Sequence, residues 1–167
     1  TNMTAKELIA MGRYAWNGLF GRETEADKQA IARALKLTHT EKFADQLVDT
    51  LSGGERSRLW LAMLLAQESQ FLLLDEPLAA LDIAHQVEVM QLVHRLSREL
   101  NLGVIIVIHD INLASRFCDH LVALHSGKLL AQGNAHNIVN TPSLQHIYGI
   151  ELNVIEHPQT HRPVSFY

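Results

Sequence analysis

Apolar side chains recur at helical spacing through the first part of the chain. This spacing predicts three helices, over residues 5–11, 23–37 and 55–66. Thr4 is placed to cap the first of them. Residues 13–22, between the first two helices, form a loop rich in aromatic residues and glycine. The pattern therefore predicts a helical subdomain over residues 1–66.

From residue 52 the pattern changes to alternation, in which the helix over residues 55–66 is followed by short apolar runs and amphipathic segments in turn. Strands and helices are predicted in turn over residues 71–74, 84–100, 104–108 and 111–117. Uniformly apolar strands that alternate with helices indicate an α/β fold, with a mostly parallel sheet covered on both faces by helices. This core is predicted to span residues 67–150.

The last part of the chain has a turn signal and then several prolines. Residues 121–124 and 128–132 flank Ser126-Gly127, an arrangement that predicts a β-hairpin. Residues 151–167 contain Pro158 and Pro163 and are predicted to be an irregular C-terminal tail.

Composition and charge exclude several classes of function. The 167 residues carry a net charge of -4 and contain no run of basic residues, which argues against nucleic acid as the main partner. The single cysteine, Cys118, excludes an internal disulfide framework and suits a reducing compartment. No apolar stretch approaches the roughly 20 residues that span a bilayer, and no N-terminal signal pattern is present. A cytosolic protein is expected, with any membrane role exerted through a partner.

Two adjacent carboxylates, Asp75 and Glu76, follow the first apolar run. Ligands of open α/β sheets bind at the carboxyl ends of the strands. There, Asp75 could hold a magnesium ion, directly or through water, while Glu76 accepts a proton from an attacking water or orients it. The alternative is a solvated acidic turn before Pro77, and the apolar run before the pair favours the catalytic interpretation.

The segment Leu51-Ser52-Gly53-Gly54-Glu55 admits two interpretations. Ser52 and Glu55 have the spacing of a capping box, a general way to begin a helix. A capping box does not require two glycines, however, and glycines at a helix start let the backbone approach a phosphate group. From the residues alone, capping and phosphate binding both remain open.

His109-Asp110 follows the second apolar run directly. A histidine at such a position is often a structural residue. Parallel strands place their carboxyl ends at one edge, so His109 could also lie near Asp75 and Glu76 and donate a hydrogen bond to a terminal phosphate.

Together, these elements resemble the ABC ATPase family, from Leu51 to Gly133 at least. The resemblance implies a P-loop NTPase fold of which this chain is a fragment, a helical signature subdomain followed by the C-terminal part of a RecA-like core. It implies that ATP and Mg²⁺ are the cofactors. It also implies roles for the following residues: Ser52, Gly53, Gly54 and Glu55 are the signature motif that contacts the nucleotide of the opposite subunit, Asp75 is the Walker B carboxylate, Glu76 is catalytic, Asp82 belongs to the D-loop, and His109 is the switch histidine.

Less specific stretches extend the resemblance to importers of ferric siderophores, the ferric-hydroxamate members in particular. They are residues 3–8, 12–16, 81–86 and 163–166. The implied partners are a second ATPase subunit in a homodimer, integral-membrane permease subunits that Tyr14 and Trp16 could contact, and indirectly a periplasmic or surface substrate-binding protein. The implied location is the cytoplasmic face of the bacterial plasma membrane, as a peripheral subunit.

The sequence departs from the family in one important respect, because it contains no phosphate loop and no Q-loop glutamine. Gly127-Lys128 is the only Gly-Lys pair, and it belongs to the predicted hairpin. The chain as given is therefore predicted to be inactive by itself.

Two other interpretations of the same motifs remain open. An SMC/Rad50-like DNA-maintenance protein also separates its phosphate loop from its signature motif, but heptads should then precede the motif and none are present. A non-catalytic pseudo-ATPase module would not require Glu76 and His109.

Overall fold

The computed structural model describes residues 2–18 and 22–167. Contacts within the chain group it into two compact units, Thr1–Val107 and Ile108–Tyr167. This division differs from the predicted boundaries after residues 66 and 150, although residue 66 does end a helix.

The first unit begins with helices and ends with a helix between two strands. Its elements are α1 (Ala5–Met11), α2 (Tyr14–Asn17), α3 (Glu25–Leu37), α4 (Gly53–Ala66), β1 (Phe71–Asp75), α5 (Ile83–Glu99) and β2 (Gly103–Val107). Two short 3-10 turns, Glu41–Phe43 and Val48–Thr50, connect α3 to α4. The three predicted helices of the subdomain are confirmed, whereas the predicted loop contains one helical turn, α2; residues 19–21 of that loop lie outside the described residues.

Side-chain caps fix where the long helices of the first unit begin. The Thr4 hydroxyl accepts a hydrogen bond from the Glu7 amide, and the Glu7 carboxylate accepts from the Thr4 amide, so the predicted cap of α1 is confirmed. Thr24 and Asp27 form the same reciprocal pair at α3. Such caps satisfy amide groups that have no acceptor inside the helix. They explain why α3 starts at Glu25, two residues later than predicted.

The helical part of the first unit has a hydrophobic core between α1, α3 and α4. Its fully buried side chains include Ile9, Ile31 and Leu59. Beside this core, the Arg13 guanidinium is buried and donates to the Asp27 carboxylate, the Ala66 carbonyl and the Glu68 carboxylate, at 2.7, 2.8 and 2.8 Å. The buried network joins the end of α1, the start of α3 and the end of α4.

The two strands of the first unit pair in parallel, in register from Phe71 with Gly103 to Asp75 with Val107. One face of the pair buries Leu72 and Leu74. The expectation of a sheet covered on both faces is wrong for this chain, because the other face leaves Leu73 72% exposed and Phe71 68% exposed. Strands that are apolar on both faces are typical of a sheet buried between two layers, and the described residues supply only one of those layers.

The second unit contains three short helices and two hairpins. Its elements are α6 (Ile111–Phe117), β3 (Leu121–His125), β4 (Lys128–Gly133), α7 (Ala135–Ile138), α8 (Thr141–Tyr148), β5 (Asn153–Glu156) and β6 (Pro163–Phe166). The predicted hairpin is confirmed: β3 and β4 are antiparallel, and Ser126 and Gly127 both have positive φ angles, 49° and 73°. Positive φ at both central residues is the requirement of a type I′ turn.

The expectation of an irregular C-terminal tail is wrong, because β5 and β6 form an antiparallel pair. Its register runs from Asn153 opposite Phe166 to Glu156 opposite Pro163. Pro163 is tolerated because it is the first residue of its strand, where its missing amide costs little. Side chains of α6 hold this hairpin: the Asn112 amide group bonds both backbone polar groups of Ser165, and the buried Ser115 hydroxyl donates to the Pro163 carbonyl at 2.6 Å.

No helix within residues 2–18 and 22–167 has the length and apolar content needed to cross a membrane.

Candidate nucleotide-binding site

The start of α4 carries the signature segment. Ser52 is the N-cap, and its hydroxyl accepts from the Glu55 amide at 3.4 Å. The Glu55 carboxylate accepts in return from the Ser52 amide and hydroxyl, at 2.9 and 2.8 Å. The capping interpretation is therefore confirmed as local structure. Ser52 and Gly53 remain exposed, so the amide-rich, positive end of this 14-residue helix stays open to an anion.

Hydrogen bonding keeps the Glu55 carboxyl group ionised. The bond from the Ser52 amide, followed by that from the Ser52 hydroxyl, lowers the pKa of Glu55 below its ordinary value. The Glu55 carboxylate is bound to Ser52 in the cap, and this bond orders the first turn of α4. The carboxylate therefore does not bind the other amides of that turn.

The loop before α5 packs against the same helix start. The Asp82 carboxylate caps α5 by accepting from the His85 amide at 2.9 Å, and the His85 Nδ1 lies 2.8 and 2.9 Å from its two oxygens. These contacts, the backbone one first, lower the pKa of Asp82. A Cβ added to Gly53 would touch the Leu81 side chain at 3.5 Å, and one added to Gly54 would collide with the His85 ring. The structure thus brings residues 52–55 together with residues 81–85.

The packing gives a reason for Gly54 that differs from the expected one. Gly54 is buried, and its lack of a side chain makes room for the His85 ring. Gly53 is exposed and keeps the expected freedom for close approach to a ligand. His85 itself was missed in the sequence, because a histidine in the first turn of an amphipathic helix carries no signal of a long-range contact.

Asp75 and Glu76 lie at the carboxyl end of β1, and both are exposed. Asp75 is in register with Val107 at the end of β2. Glu76 has a φ angle of 46°, in the left-handed region that residues with side chains seldom adopt. Five other described residues share this trait, so the backbone strain is compatible with a functional role for Glu76 but does not identify one.

The donor set fits a magnesium ion held mainly by its nucleotide. Among the described residues no group of three or more His, Cys, Asp or Glu side chains could hold a metal ion. Magnesium in nucleotide sites usually takes one or two carboxylates and completes its shell with phosphate oxygens and water. Asp75, an exposed carboxylate at a strand end, could supply the protein ligand.

His109 and Asp110 lie in the second unit, which begins one residue after β2 ends. Asp110 has a structural role, because its carboxylate caps α6 by accepting from the Asn112 and Leu113 amides at 2.8 and 3.0 Å. The role of His109 at a phosphate stays a prediction.

An exposed aromatic pair lies on the helical subdomain. Tyr14 and Trp16 are both exposed, and the Trp16 indole donates to the Gln67 carbonyl at 2.8 Å. The Arg13 guanidinium lies 5.2 Å from the centroid of the Trp16 ring. The Gln67 carbonyl and the Arg13 guanidinium therefore hold the Trp16 ring in place, and the exposed part of the ring is available to a partner.

Comparison with known proteins shows which family the chain resembles. The family described as "ABC transporter" matches residues 1–79. The ferric enterobactin transport ATP-binding protein FepC of Escherichia coli (strain K12) is 43% identical over 163 residues, which are 98% of this chain and 60% of FepC. The iron(3+)-hydroxamate import ATP-binding protein FhuC of Bacillus subtilis (strain 168) is 38% identical over 164 residues, which are 98% of this chain and 61% of FhuC. The chain thus spans about 60% of the length of these curated relatives.

A solved structure supports the same fold. An ABC transporter of metal-chelate type in an inward-facing conformation superposes on this chain with a TM-score of 0.89 and 24% identity, over 100% of this chain and 68% of the other. The predicted α/β fold class is confirmed, because the chain has the fold of solved ABC transporter structures. The comparisons confirm the resemblance to ATP-binding proteins of the ABC transporter family, and the fold of the chain is that of part of an ATP-binding cassette.

Proposed function

We propose that this chain is part of an ATP-binding subunit that hydrolyses MgATP to drive the import of ferric siderophores across the cytoplasmic membrane. The observation that carries the proposal is the packing of the loop at Leu81–His85 against the exposed helix start at Ser52–Glu55. This arrangement places an anion-binding helix end beside a loop that the ABC family uses at its dimer interface. Both relatives named above are transport or import ATP-binding proteins.

The nucleotide is shared between two subunits. The sequence contains no phosphate loop, and the exposed amides at the start of α4 are the groups that this chain offers to a nucleotide bound by the opposite subunit. The β- and γ-phosphates are held by a phosphate loop elsewhere, and the signature segment of the opposite subunit closes over them. A homodimer then contains two such sites, and Asp82 lies in the loop that connects them.

Each residue at the strand ends has a separate task. Asp75 would hold the magnesium ion through water, and the ion, when bound, would neutralise charge on the phosphates. Glu76 orients the attacking water and accepts its proton. His109 donates a hydrogen bond to the γ-phosphate and registers whether that group is present. Hydrolysis removes the bridge between the subunits, so the population shifts from closed to open dimers.

The exposed apolar face of β1 and β2 fits a missing layer. This face exposes four large apolar side chains to water, which costs free energy over such a contiguous area: Phe71, Leu73, Ile105 and Val107. We assign this face to the segment that carries the phosphate loop. Reading the coding region upstream of Thr1 tests this assignment: an in-frame Gly-x-x-x-x-Gly-Lys-Ser/Thr followed by a glutamine supports it, and a start codon immediately before Thr1 contradicts it.

Permease subunits are the partners at the membrane. Tyr14 and Trp16 supply an exposed aromatic surface of the kind that is enriched at protein interfaces. Through this contact the subunit is held as a peripheral protein at the cytoplasmic face. A substrate-binding protein takes part only indirectly, outside the membrane.

The cargo is a ferric siderophore, and the hydroxamate class is the narrower proposal. FepC is named for ferric enterobactin and FhuC for iron(3+)-hydroxamate, so the relatives agree on siderophore iron and differ in the chelator. Uptake of labelled ferric hydroxamate should fall in a strain that lacks the subunit. Unchanged hydroxamate uptake with reduced uptake of another ferric siderophore would refute only the narrower assignment.

The central experiment replaces the proposed catalytic carboxylate in a subunit that carries both a phosphate loop and this chain. Glu76→Gln should reduce steady MgATP hydrolysis about 100-fold or more, because a general base contributes a factor of this order. The same variant should accumulate as an ATP-bound dimer by light scattering. Glu99→Gln, an exposed carboxylate at the end of α5, is the matched control and should hydrolyse ATP normally. Normal hydrolysis by Glu76→Gln would refute the mechanism.

The other two interpretations receive no support from these findings. The relatives reported above are transport proteins, which favours a transporter over an SMC/Rad50-like protein. A pseudo-ATPase module predicts that the Glu76→Gln variant and the unaltered subunit have equal activity, so the same experiment tests it.

A further inference from the structure

The His85 ring lies against the backbone of Gly54, the second glycine of the signature segment. A Cβ built on Gly54 would overlap the His85 Cδ2 and would lie 3.0 Å from its Cγ and Nε2. Real Cβ atoms do not approach ring atoms this closely, so the ring occupies the space that a side chain at position 54 would need. The contact joins the first turn of α5 to the first turn of α4.

The same ring also binds Asp82. His85 Nδ1 lies 2.8 and 2.9 Å from the two carboxylate oxygens, and the His85 amide donates to one of them at 2.9 Å. Asp82 thus has both a backbone and a ring contact to His85, and these outweigh its backbone contact to Ala84. Because the carboxylate is exposed, its orientation depends on these contacts rather than on burial.

Gln86 adds two hydrogen bonds to the loop. Its amide group donates to the Leu81 carbonyl at 3.0 Å and to the Leu78 carbonyl at 3.3 Å. Leu81 in turn packs beside Gly53. Residues 81–86 therefore contact both glycines of the signature segment and contain Asp82.

We infer that His85 is a positioning residue that couples the orientation of Asp82 to the start of the signature helix. The inference rests on the proposed function, in which residues 52–55 and Asp82 act at the dimer interface. A displacement of α4 on engaging a phosphate moves the His85 ring, and the ring moves Asp82 because it is bound to both. The two cross-dimer contacts of one subunit then respond together, and this linkage underlies cooperativity between two sites.

Three variants separate the two contacts of the ring. His85→Ala removes both contacts, His85→Phe keeps a ring beside Gly54 but cannot bond Asp82, and His85→Asn keeps a donor near Asp82 but removes the ring. His94→Ala is the matched control, since it makes the same change at an exposed position of the same helix.

The activity test uses a subunit that carries both the phosphate loop and this chain. We expect His85→Ala to lower kcat about tenfold and to bring the Hill coefficient for ATP close to one. The affinity of the separate subunit for a fluorescent ATP analogue should change by less than about twofold, because the phosphate loop is untouched. His85→Phe and His85→Asn should each lose part of kcat, and His94→Ala none. A merely structural role would lower kcat and nucleotide affinity together.

A double-mutant cycle tests whether His85 acts through Asp82. If it does, the kcat of the double variant Asp82→Ala/His85→Ala should lie no more than about twofold below the kcat of the more impaired single variant. Multiplicative losses would overturn the inference, and so would an unchanged kcat and Hill coefficient in His85→Ala.

Hydrogen exchange provides a measurement that does not depend on ATP hydrolysis. In His85→Ala the amides of residues 81–86 and of the first turn of α4 should exchange faster, whereas His94→Ala should leave both unchanged. Unchanged exchange at both places in His85→Ala would overturn the inference. If exchange rises as expected but the unaltered subunit does not hydrolyse ATP, the coupling stands and the proposed function is refuted.

Discussion

Asp27→Ala is predicted to destabilise the first unit strongly, because it removes the principal partner of a buried charge. The Arg13 and Asp27 side chains are 8% and 2% exposed, and Arg13 Nε lies 2.7 Å from the Asp27 Oδ1. Burial is the largest single influence on the pKa of Arg13, and it lowers that pKa. The hydrogen bonds to Asp27 and Glu68 and the attraction of their charges together outweigh burial, so the pKa of Arg13 is raised. The guanidinium therefore stays charged and cannot escape the cost by losing its proton.

The size of the effect follows from what remains after the substitution. Breaking a buried ion pair by removing one partner costs about 3–5 kcal/mol. Arg13 would keep the Ala66 carbonyl and Glu68, whose side chain is 47% exposed, so the lower end of this range applies. Asp27 also closes the cap of α3, which contributes about 1 kcal/mol more. The expected loss is about 4 kcal/mol of unfolding free energy, a large fraction of the stability of a typical domain.

Urea unfolding followed by circular dichroism would measure this loss, in the same complete subunit as above. Glu25→Ala is the matched control, because Glu25 lies in the same helical turn, is 75% exposed and pairs with Lys28 only at 3.6 Å. It should cost less than about 0.5 kcal/mol. Replacing both buried partners, Arg13→Met with Asp27→Leu, should recover most of the stability lost by Asp27→Ala alone. Equal stability of Asp27→Ala and Glu25→Ala would refute the reasoning.

Two further predictions concern the caps and the C-terminal hairpin. The pKa of Glu55 in the folded protein lies below its ordinary, unfolded-state value. The cap therefore stabilises the fold fully at pH values above the unfolded-state pKa, and this stabilisation is lost as the pH falls through the folded-state pKa. A carbon-detected NMR titration should show this, and Ser52→Ala should raise the pKa of Glu55 only partly, since the backbone donor remains; an unchanged midpoint would contradict the assignment. Asn112→Ala should accelerate exchange of the Ser165 amide at least about fivefold, because that amide loses its 2.8 Å acceptor. Gln145→Ala, on the exposed side of α8, is the control, and equal rates in both variants would count against the tether.

Local features of this protein could be predicted from the sequence because each depends on neighbouring residues. Thr4 caps α1 because its hydroxyl and Glu7 lie three residues apart, which is a property of the helix start itself. The Ser126-Gly127 turn depends on backbone freedom at two adjacent positions. The parallel pairing of β1 and β2 followed from apolar runs separated by a helix.

The candidate site could be identified only in part. The spacing of Ser52–Glu55, Asp75, Glu76, Asp82 and His109 gave the resemblance to the family, and the comparisons confirmed that resemblance. The roles of the individual residues stay predictions. The contact of His85 with Gly54 could not be anticipated, because it joins residues 31 positions apart through the packing of two helices.

The division between sequence and tertiary structure follows the range of the forces involved. The sequence by itself determined the longer helices of the first unit, α6, the strands β1 to β4, the turn and the motif set, since helix caps and the alternation of apolar residues act over a few positions. Tertiary structure alone decided that residues 151–167 form a hairpin, because Asn112 and Ser115 of a distant helix satisfy its backbone. It also decided that Arg13 is buried, and that one face of β1 and β2 stays uncovered, because burial depends on which segments of a chain meet and on the area they can remove from water.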